Sequence, residues 1–249
     1  SAAPAAPPPP AREVEYRALW DRALRLDDPQ VPAAVLNHLR GRGFDPAWFV
    51  GAGPEQDLAR VLPPGAALPS WAACEGVSWE LSGHLVLVRA YDALGRLAML
   101  RARAIGPASK KELGPGGAKI AGTVLADAAG ELVLRAGPQV LGDSLKRSGK
   151  MLIVLVAEGV PDFLTLSAWA RRWRSTPAAA GYLLAVFGVY SGGWTQEVAD
   201  RLPPGARVVL RVHSDKGGCG YRDIIADTLG RRCQVEVRHP DGIPTARKL

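Results

Sequence analysis

The sequence predicts an α/β fold: a C-terminal unit built on a parallel sheet flanked by helices, preceded by a mixed α+β half. Three observations carry this. Over residues 150–238, short wholly apolar runs (151–157, MLIVLVA; 182–190; 207–212; and a weaker one at 233–237) alternate with helical patterns at 160–173, 195–202 and 221–229. Short strands without polar alternation, separated by helices, belong to a parallel sheet covered on both faces. Residues 76–135 change period: 83–91 and 96–103 are partly alternating strands around the turn Asp92-Ala93-Leu94-Gly95, a hairpin signal. Residues 12–60 read as helical, with apolar residues on one face.

Taken in order, residues 1–11 (SAAPAAPPPPA) lack side chains for a core and read as an extended linker, with the expectation that something precedes it in a longer protein. Glu13, Tyr16, Leu19, Trp20 and Ala23 recur at helical spacing. A second helix is expected from 31 to 41, with Gly43 as its stop signal, and HLRGRGFDPAWF then turns the chain. After the hairpin comes a Gly/Pro/Lys-rich loop at 106–122, then two short strands around 123–136. The βα units follow, and right-handed crossovers place the C-terminal ends of their strands on one edge.

The length, 249 residues, suits one large domain or two modest ones. The divisions are a 1–11 linker, a 12–145 basic half and a 150–249 α/β unit. An apolar content of 47% permits a core. No apolar run approaches the roughly 20 residues of a membrane span, and no basic segment leads an apolar stretch at the N-terminus. The expectation is a cytoplasmic protein with no membrane partner. A net charge of +7 favours a polyanionic partner such as nucleic acid, although abundant Arg from a GC-rich genome accounts for it equally. Cys74, Cys219 and Cys233 are widely spaced and form no CxxC pair, which argues against a zinc ribbon or a disulfide framework.

Ligands of such sheets bind outside the carboxyl ends of the strands. The residues there are Glu158-Gly159 after the first run, Ser191-Gly192-Gly193 after the second, His213 through Gly218 (HSDKGG) after the third, and His239 and Asp241 after the fourth. Mg²⁺ takes oxygen ligands and is usually held by one or two carboxylates plus substrate phosphates. Taken singly, Glu158 reads as a residue favoured at a helix N-terminus and Asp215 as a loop residue. Together, at equivalent positions of one α/β unit, they point to a metal site.

Glu158-Gly159-Val160-Pro161-Asp162 after an apolar strand resembles the EGxxD motif of Toprim domains, and VVLRVHSDKGG at 208–218 resembles their second motif, DxDxxG after a strand. This resemblance covers about residues 150–249. Upstream, Leu85 to Asp92, Gly95, Arg101 or Arg103 and Lys110-Lys111 resemble the basic subdomain that precedes Toprim in bacterial, phage and mobile-element primases of the DnaG type. Leu19-Trp20 and HLRGRG look like their leading segment.

The resemblance implies synthesis of short RNA primers on single-stranded DNA from ribonucleoside triphosphates with Mg²⁺ or Mn²⁺. By it, Glu158 and Asp215 are catalytic, and Glu158, His213 and Asp215 bind metal. Arg101, Arg103, Lys110, Lys111, Lys119 and Lys216 contact template or nucleotide phosphates. Gly159, Asp162 and Gly218 complete the motifs, and a replicative helicase is an implied partner. The expectation is that 249 residues leave no room for a helicase or helicase-binding domain, and that the zinc module such primases often carry lies upstream of the linker or is replaced by a partner.

One departure stands out: His213 occupies the first Asp position of DxD. Imidazole suits Mn²⁺, Zn²⁺ and other transition metals better than Mg²⁺. The site holds a different ion, another acid such as Asp241 or Asp223 substitutes, or the domain has kept binding without catalysis. The alternative function is thus a degenerate Toprim module that holds single-stranded DNA or nucleotide for a helicase. A Toprim nuclease or topoisomerase lacks a candidate tyrosine domain here. Other residues read as follows. ARRWR at 170–174 either binds single strands or packs Trp173 on the sheet with its arginines exposed. Trp194 either stacks on a base or closes the core. His84 is structural, and Lys110-Lys111 is either a phosphate contact or a solvated loop.

Overall fold

The structure is a computed structural model that describes residues 12–190, 192–213 and 216–238. The linker 1–11, Ser191, Ser214, Asp215, His239 and Asp241 lie outside the described residues, as does the side chain of Lys216.

Helix α1 (Glu13–Arg22) buries Tyr16, Leu19 and Trp20, three of the residues picked out by helical spacing. After β1 (Leu24–Arg25) comes α2 (Ala33–Gly41). The helical reading stops there: 42–60 holds two short 3-10 turns, Pro46–Phe49 and Pro54–Gln56, each started by a proline. Proline fixes φ and removes a donor, so it starts a turn more readily than it continues a helix. Short strands β2 (Arg60–Val61), β3 (Ala73–Cys74) and β4 (Val77–Ser78) lead into the predicted hairpin, β5 (His84–Asp92) and β6 (Leu97–Ala104), followed by β7 (Glu112–Leu113).

Residues 123–136 depart from expectation. Only β8 (Thr123–Ala126) is a strand, and α3 (Ala128–Ser148) follows at once. Asp127 caps α3 by accepting the Gly130 N–H at 2.8 Å. The run ELVLR alternates like a strand, but Val133 and Leu134 are both buried while Leu132 faces solvent. Gly137 (φ 70°) and Pro138 kink the helix and hide its period from the sequence.

The α/β unit continues with β9 (Met151–Glu158), α4 (Gly159–Arg174), β10 (Tyr182–Val189), α5 (Gln196–Ala199), β11 (Arg207–Arg211), α6 (Lys216–Leu229) and β12 (Gln234–Arg238). Every strand predicted for residues 150–238 is present. α5 is shorter than its pattern, and α6 starts five residues earlier than expected, at Lys216 rather than 221. β10, β9, β11 and β12 lie side by side and parallel, and β8 closes antiparallel on β10. Through β8, which also pairs with β5, one sheet runs continuously across both halves of the chain.

Two apolar clusters cover this sheet. On one face Leu152, Val154 and Val156 of β9 pack with Leu134 of α3, Val198 of α5 and Ile225 of α6. On the other, Val160, Phe163 and Leu164 of α4 share a core with Trp20, Phe49, Trp71 and Trp79 of the N-terminal half. α4 therefore sits between the parallel sheet and the N-terminal half. Two of its arginines fasten it there. Arg171 donates to the carbonyls of Trp48, Val50 and Gln56 at 3.0, 2.5 and 2.6 Å. Arg174 donates to Asp127 and, at 2.6 Å, to the Leu184 carbonyl.

Candidate functional site

The parallel strands end together, and β9 ends on Glu158, in register with Val189 of β10. Gly159 has φ +74°, a left-handed conformation that costs glycine little and other residues more. It lets the chain turn from strand into helix within one residue. Glu158 sits at the N-cap position of α4, yet its side chain makes no capping bond. Its Oε2 instead accepts the backbone N–H of His213 at 3.1 Å, which ties the end of β9 to the loop after β11. The capping reading of Glu158 is thereby set aside.

Asp162 lies in the first turn of α4, and its Oδ2 is 3.4 Å from Nε2 of His213. The Asp162 and His213 side chains are 25% and 51% exposed, so both reach solvent. Gly218, near the start of α6, rests on the His213 backbone, and a Cβ there would overlap the His213 carbonyl. The structure thus brings Glu158, Gly159, Asp162, His213 and Gly218 together. Asp215 lies outside the described residues.

Among the described residues no three His, Cys, Asp or Glu side chains converge as a ligand set. Glu158 and Asp162 are the described carboxylates at this edge, and carboxylates are the ligand type that Mg²⁺ takes alongside water and phosphate. His213 adds a nitrogen donor, which suits Mn²⁺ better than Mg²⁺.

Sequence reasoning passed over one residue here. Arg211, in the apolar run VVLRV, is 3% exposed and lies opposite Ala157 of β9. Its Nε and Nη1 are buried without a hydrogen-bond partner. The only sequence signal was an arginine inside an otherwise apolar strand.

The predicted basic residues spread over two places. Arg101 and Arg103 of β6 share Glu112 of β7 at 3.4 and 2.7 Å. Arg101 also lies over the Tyr190 ring, 4.1 Å from Cζ to centroid. Tyr190 directly follows β10, and its hydroxyl lies 2.8 Å from Thr123 Oγ1 at the start of β8. Arg101 thereby borders the same edge as Glu158. Lys119 is exposed and lines a cleft of about 560 Å³ with Arg12, Tyr16, Asp92, Arg96 and Thr123. β8 runs antiparallel to β10, so this cleft opens near the edge at which β10 ends.

Lys110 does not join them: it is exposed and pairs with Glu75 at 2.9 Å, a contact that raises its pKa. Lys111 is exposed as well. His84 is structural, buried between Ser82 Oγ at 2.9 Å and the Lys110 carbonyl at 2.8 Å. Trp194 closes the core, its Nε1 donating to Thr228 Oγ1 at 2.9 Å. Arg171 and Arg174 are half-buried anchors rather than the exposed side chains expected of ARRWR.

No family model matches the chain, and no curated protein shows significant similarity to it. Solved structures do. A DnaG primase catalytic domain bound to single-stranded DNA matches with TM-score 0.56 at 14% identity, over 94% of this chain and 73% of that one. A DNA primase domain from Pseudomonas aeruginosa matches with TM-score 0.53 at 15% identity, over 94% and 73%. The zinc-binding and RNA polymerase domains of the Aquifex aeolicus primase match with TM-score 0.53 at 15% identity, over 94% of this chain and 56% of that one. Among the described residues no helix is long and apolar enough to cross a membrane. From α1 to β12, the chain has the fold of the DnaG primase catalytic domain.

Proposed function

We propose that the chain is a primase-type nucleotidyltransferase core that joins ribonucleotides on a single-stranded DNA template. One observation carries this reading: Glu158 and Asp162 meet at His213 on the carboxyl edge of the parallel sheet, an edge that Arg101 and the Lys119 cleft also border. In this reaction a 3′-hydroxyl attacks the α-phosphate of a ribonucleoside triphosphate: its oxygen forms a new P–O bond and gives its proton to solvent, while the bond from the α-phosphorus to the bridging oxygen breaks and pyrophosphate leaves. A bound Mg²⁺ or Mn²⁺ supplies charge neutralisation at the reacting phosphate. Glu158, His213 and Asp215 are the residues that would hold it, with Asp162 beside His213 at 3.4 Å. The His213 N–H keeps the Glu158 carboxylate in one orientation before any ligand arrives, which lowers the cost of organising the site. Arg101, Arg103 and Lys119 offset phosphate charge, as does Lys216. Residues 12–145 handle template and nucleotide, and residues 150–249 carry the acidic site.

The test is Glu158→Gln, assayed for labelled ribonucleotide incorporation on single-stranded DNA with Mg²⁺ or Mn²⁺. Loss of incorporation is expected, and full activity sinks the mechanism. A second reading, a module that binds DNA or nucleotide for a helicase without catalysis, is favoured by Arg211 and His213. His213 puts an imidazole beside Asp162, where a cation site gains from negative charge, and Arg211 adds a buried guanidinium on β11 two residues before it. DNA binding indifferent to chelator, with no incorporation, supports that reading against the first.

A further inference from the structure

The outer side of α4 carries a row of aromatic rings at the end farthest from Glu158. Trp169 and Trp173, one turn apart, stack with centroids 6.1 Å apart and planes 20° from parallel. Tyr182, the first residue of β10, continues the row 6.0 Å from Trp173. Beside it the Arg172 guanidinium lies over Trp48, 4.6 Å from the ring centroid. Trp169 is 38% exposed, a large apolar ring left in water. Trp48, Trp173 and Tyr182 are half-buried.

The three arginines of this turn divide by role. Arg171 and Arg174 are spent on main-chain carbonyls and Asp127. Arg172 is exposed, and none of the side-chain hydrogen bonds or ion pairs described above uses it. Stacking on Trp48 orients a guanidinium while leaving its N–H edge open to an anion. Beyond Asp162, α4 has no carboxylate, and its last turn is basic. The surface is thus aromatic and cationic on a chain of net charge +7.

We propose that Trp169, Trp173 and Arg172 form a stacking platform for single-stranded nucleic acid, with bases on the indoles and a phosphate on the guanidinium. Every base has a π-face, so such a platform takes any sequence. A duplex keeps its bases stacked on one another and offers the indoles little. Trp169 and Trp173 lie eleven and fifteen residues beyond Glu158, which at about 1.5 Å each puts the platform roughly 20 Å from it. It is separate from the acidic edge and holds a tract of strand away from it. The proposal rests on the reading that the chain works on single-stranded DNA.

The experiment measures binding of a fluorescein-labelled oligo-dT by the full 249-residue chain, at several salt concentrations. Trp169→Ala is expected to weaken binding about 5- to 100-fold, and Trp169→Phe to retain most of it. Arg172→Ala is expected to lower the slope of log K against log salt by about 0.7. Thermal melting checks that each variant is folded. Unchanged affinity in folded Trp169→Ala and Arg172→Ala overturns the proposal, as does an equal loss for blunt duplex DNA. It is also overturned if Trp169→Ala leaves DNA binding intact and instead dissolves a self-associated form of the chain. The catalytic reading is scored apart from this. A wild-type chain that incorporates no nucleotide, yet loses oligo-dT binding with Trp169→Ala, sinks that reading and leaves the platform standing.

Discussion

The Glu158 carboxylate accepts the main-chain N–H of His213 at 3.1 Å, joining the end of β9 to the loop that follows β11. A glutamine amide keeps an acceptor oxygen and removes the charge. Glu158→Gln is therefore expected to fold and melt within a degree or two of the parent, while losing Mn²⁺ binding in calorimetry. Glu158→Ala removes the acceptor too and should destabilise by about 0.5–1.5 kcal/mol in denaturant titration. If the two variants melt alike, the acceptor oxygen has no separate role, and if Glu158→Gln binds Mn²⁺ as the parent does, the carboxylate charge has none.

His213 is the second lever. Its ring Nε2 faces Asp162 at 3.4 Å. His213→Asp would set two carboxylates against each other there, which destabilises the metal-free protein and favours a divalent cation. The variant should melt lower than the parent in chelator and gain more from millimolar Mg²⁺. Melting curves with and without Mg²⁺ check this, and a parent-like response to the ion would show that Asp162 and residue 213 do not share a ligand.

Much of this was legible in sequence because the two central parallel strands, β9 and β10, are apolar along almost their whole length. A buried strand such as 151–157 leaves little room for another reading, and EGxxD marks the point where β9 becomes α4. The remainder depended on contacts between distant residues. α3 was hidden by Gly137 and Pro138, which break its period. Arg171 and Arg174 read as exposed charge because their acceptors are carbonyls of Trp48, Val50, Gln56 and Leu184, which no local pattern reveals. Arg211 was lost inside an apolar run, where a single charge does not change the strand pattern. The candidate site residues were singled out only where a motif named them. That Glu158 binds the His213 N–H rather than capping α4 follows from the register of β9 with β11.

Asp127 and Arg174 give a stability prediction away from the acidic edge. Asp127 is buried, and its carboxylate takes the N–H groups of Gly130 and Val186 at 2.8 and 3.1 Å as well as the Arg174 guanidinium. Arg174→Met leaves that carboxylate with the two backbone donors but no counter-charge. The loss should be about 1–3 kcal/mol by denaturant unfolding. Asp127→Ala strips the helix cap and two further acceptor contacts at once and should cost more, about 3–5 kcal/mol. The order of the two variants is the check: Arg174→Met as the more damaging change would mean that the lost contact to the Leu184 carbonyl and the unpaired Asp127 charge together outweigh the two backbone bonds that Asp127 accepts.

Tyr190 supplies a pH dependence. Burial pushes its phenol up to about 12, against the Thr123 hydroxyl and the Arg101 guanidinium, which pull it down. The charged form is the deprotonated one, so the folded state resists ionisation while the unfolded chain ionises near pH 10. This contribution is complete below pH 10 and is lost as pH rises from about 10 towards 12. Tyr91, also raised by burial, adds a loss of the same sign. Tyr190→Phe keeps the ring under Arg101 and removes the ionisable hydroxyl together with its contact to Thr123. The variant should start less stable at pH 8, by about 0.5–1.5 kcal/mol, and then fall less steeply above pH 10. Denaturant midpoints at pH 8, 10 and 11 measure both effects. Parallel curves for parent and variant would place the alkaline loss elsewhere in the chain, with Tyr91→Phe the next variant to separate from the parent.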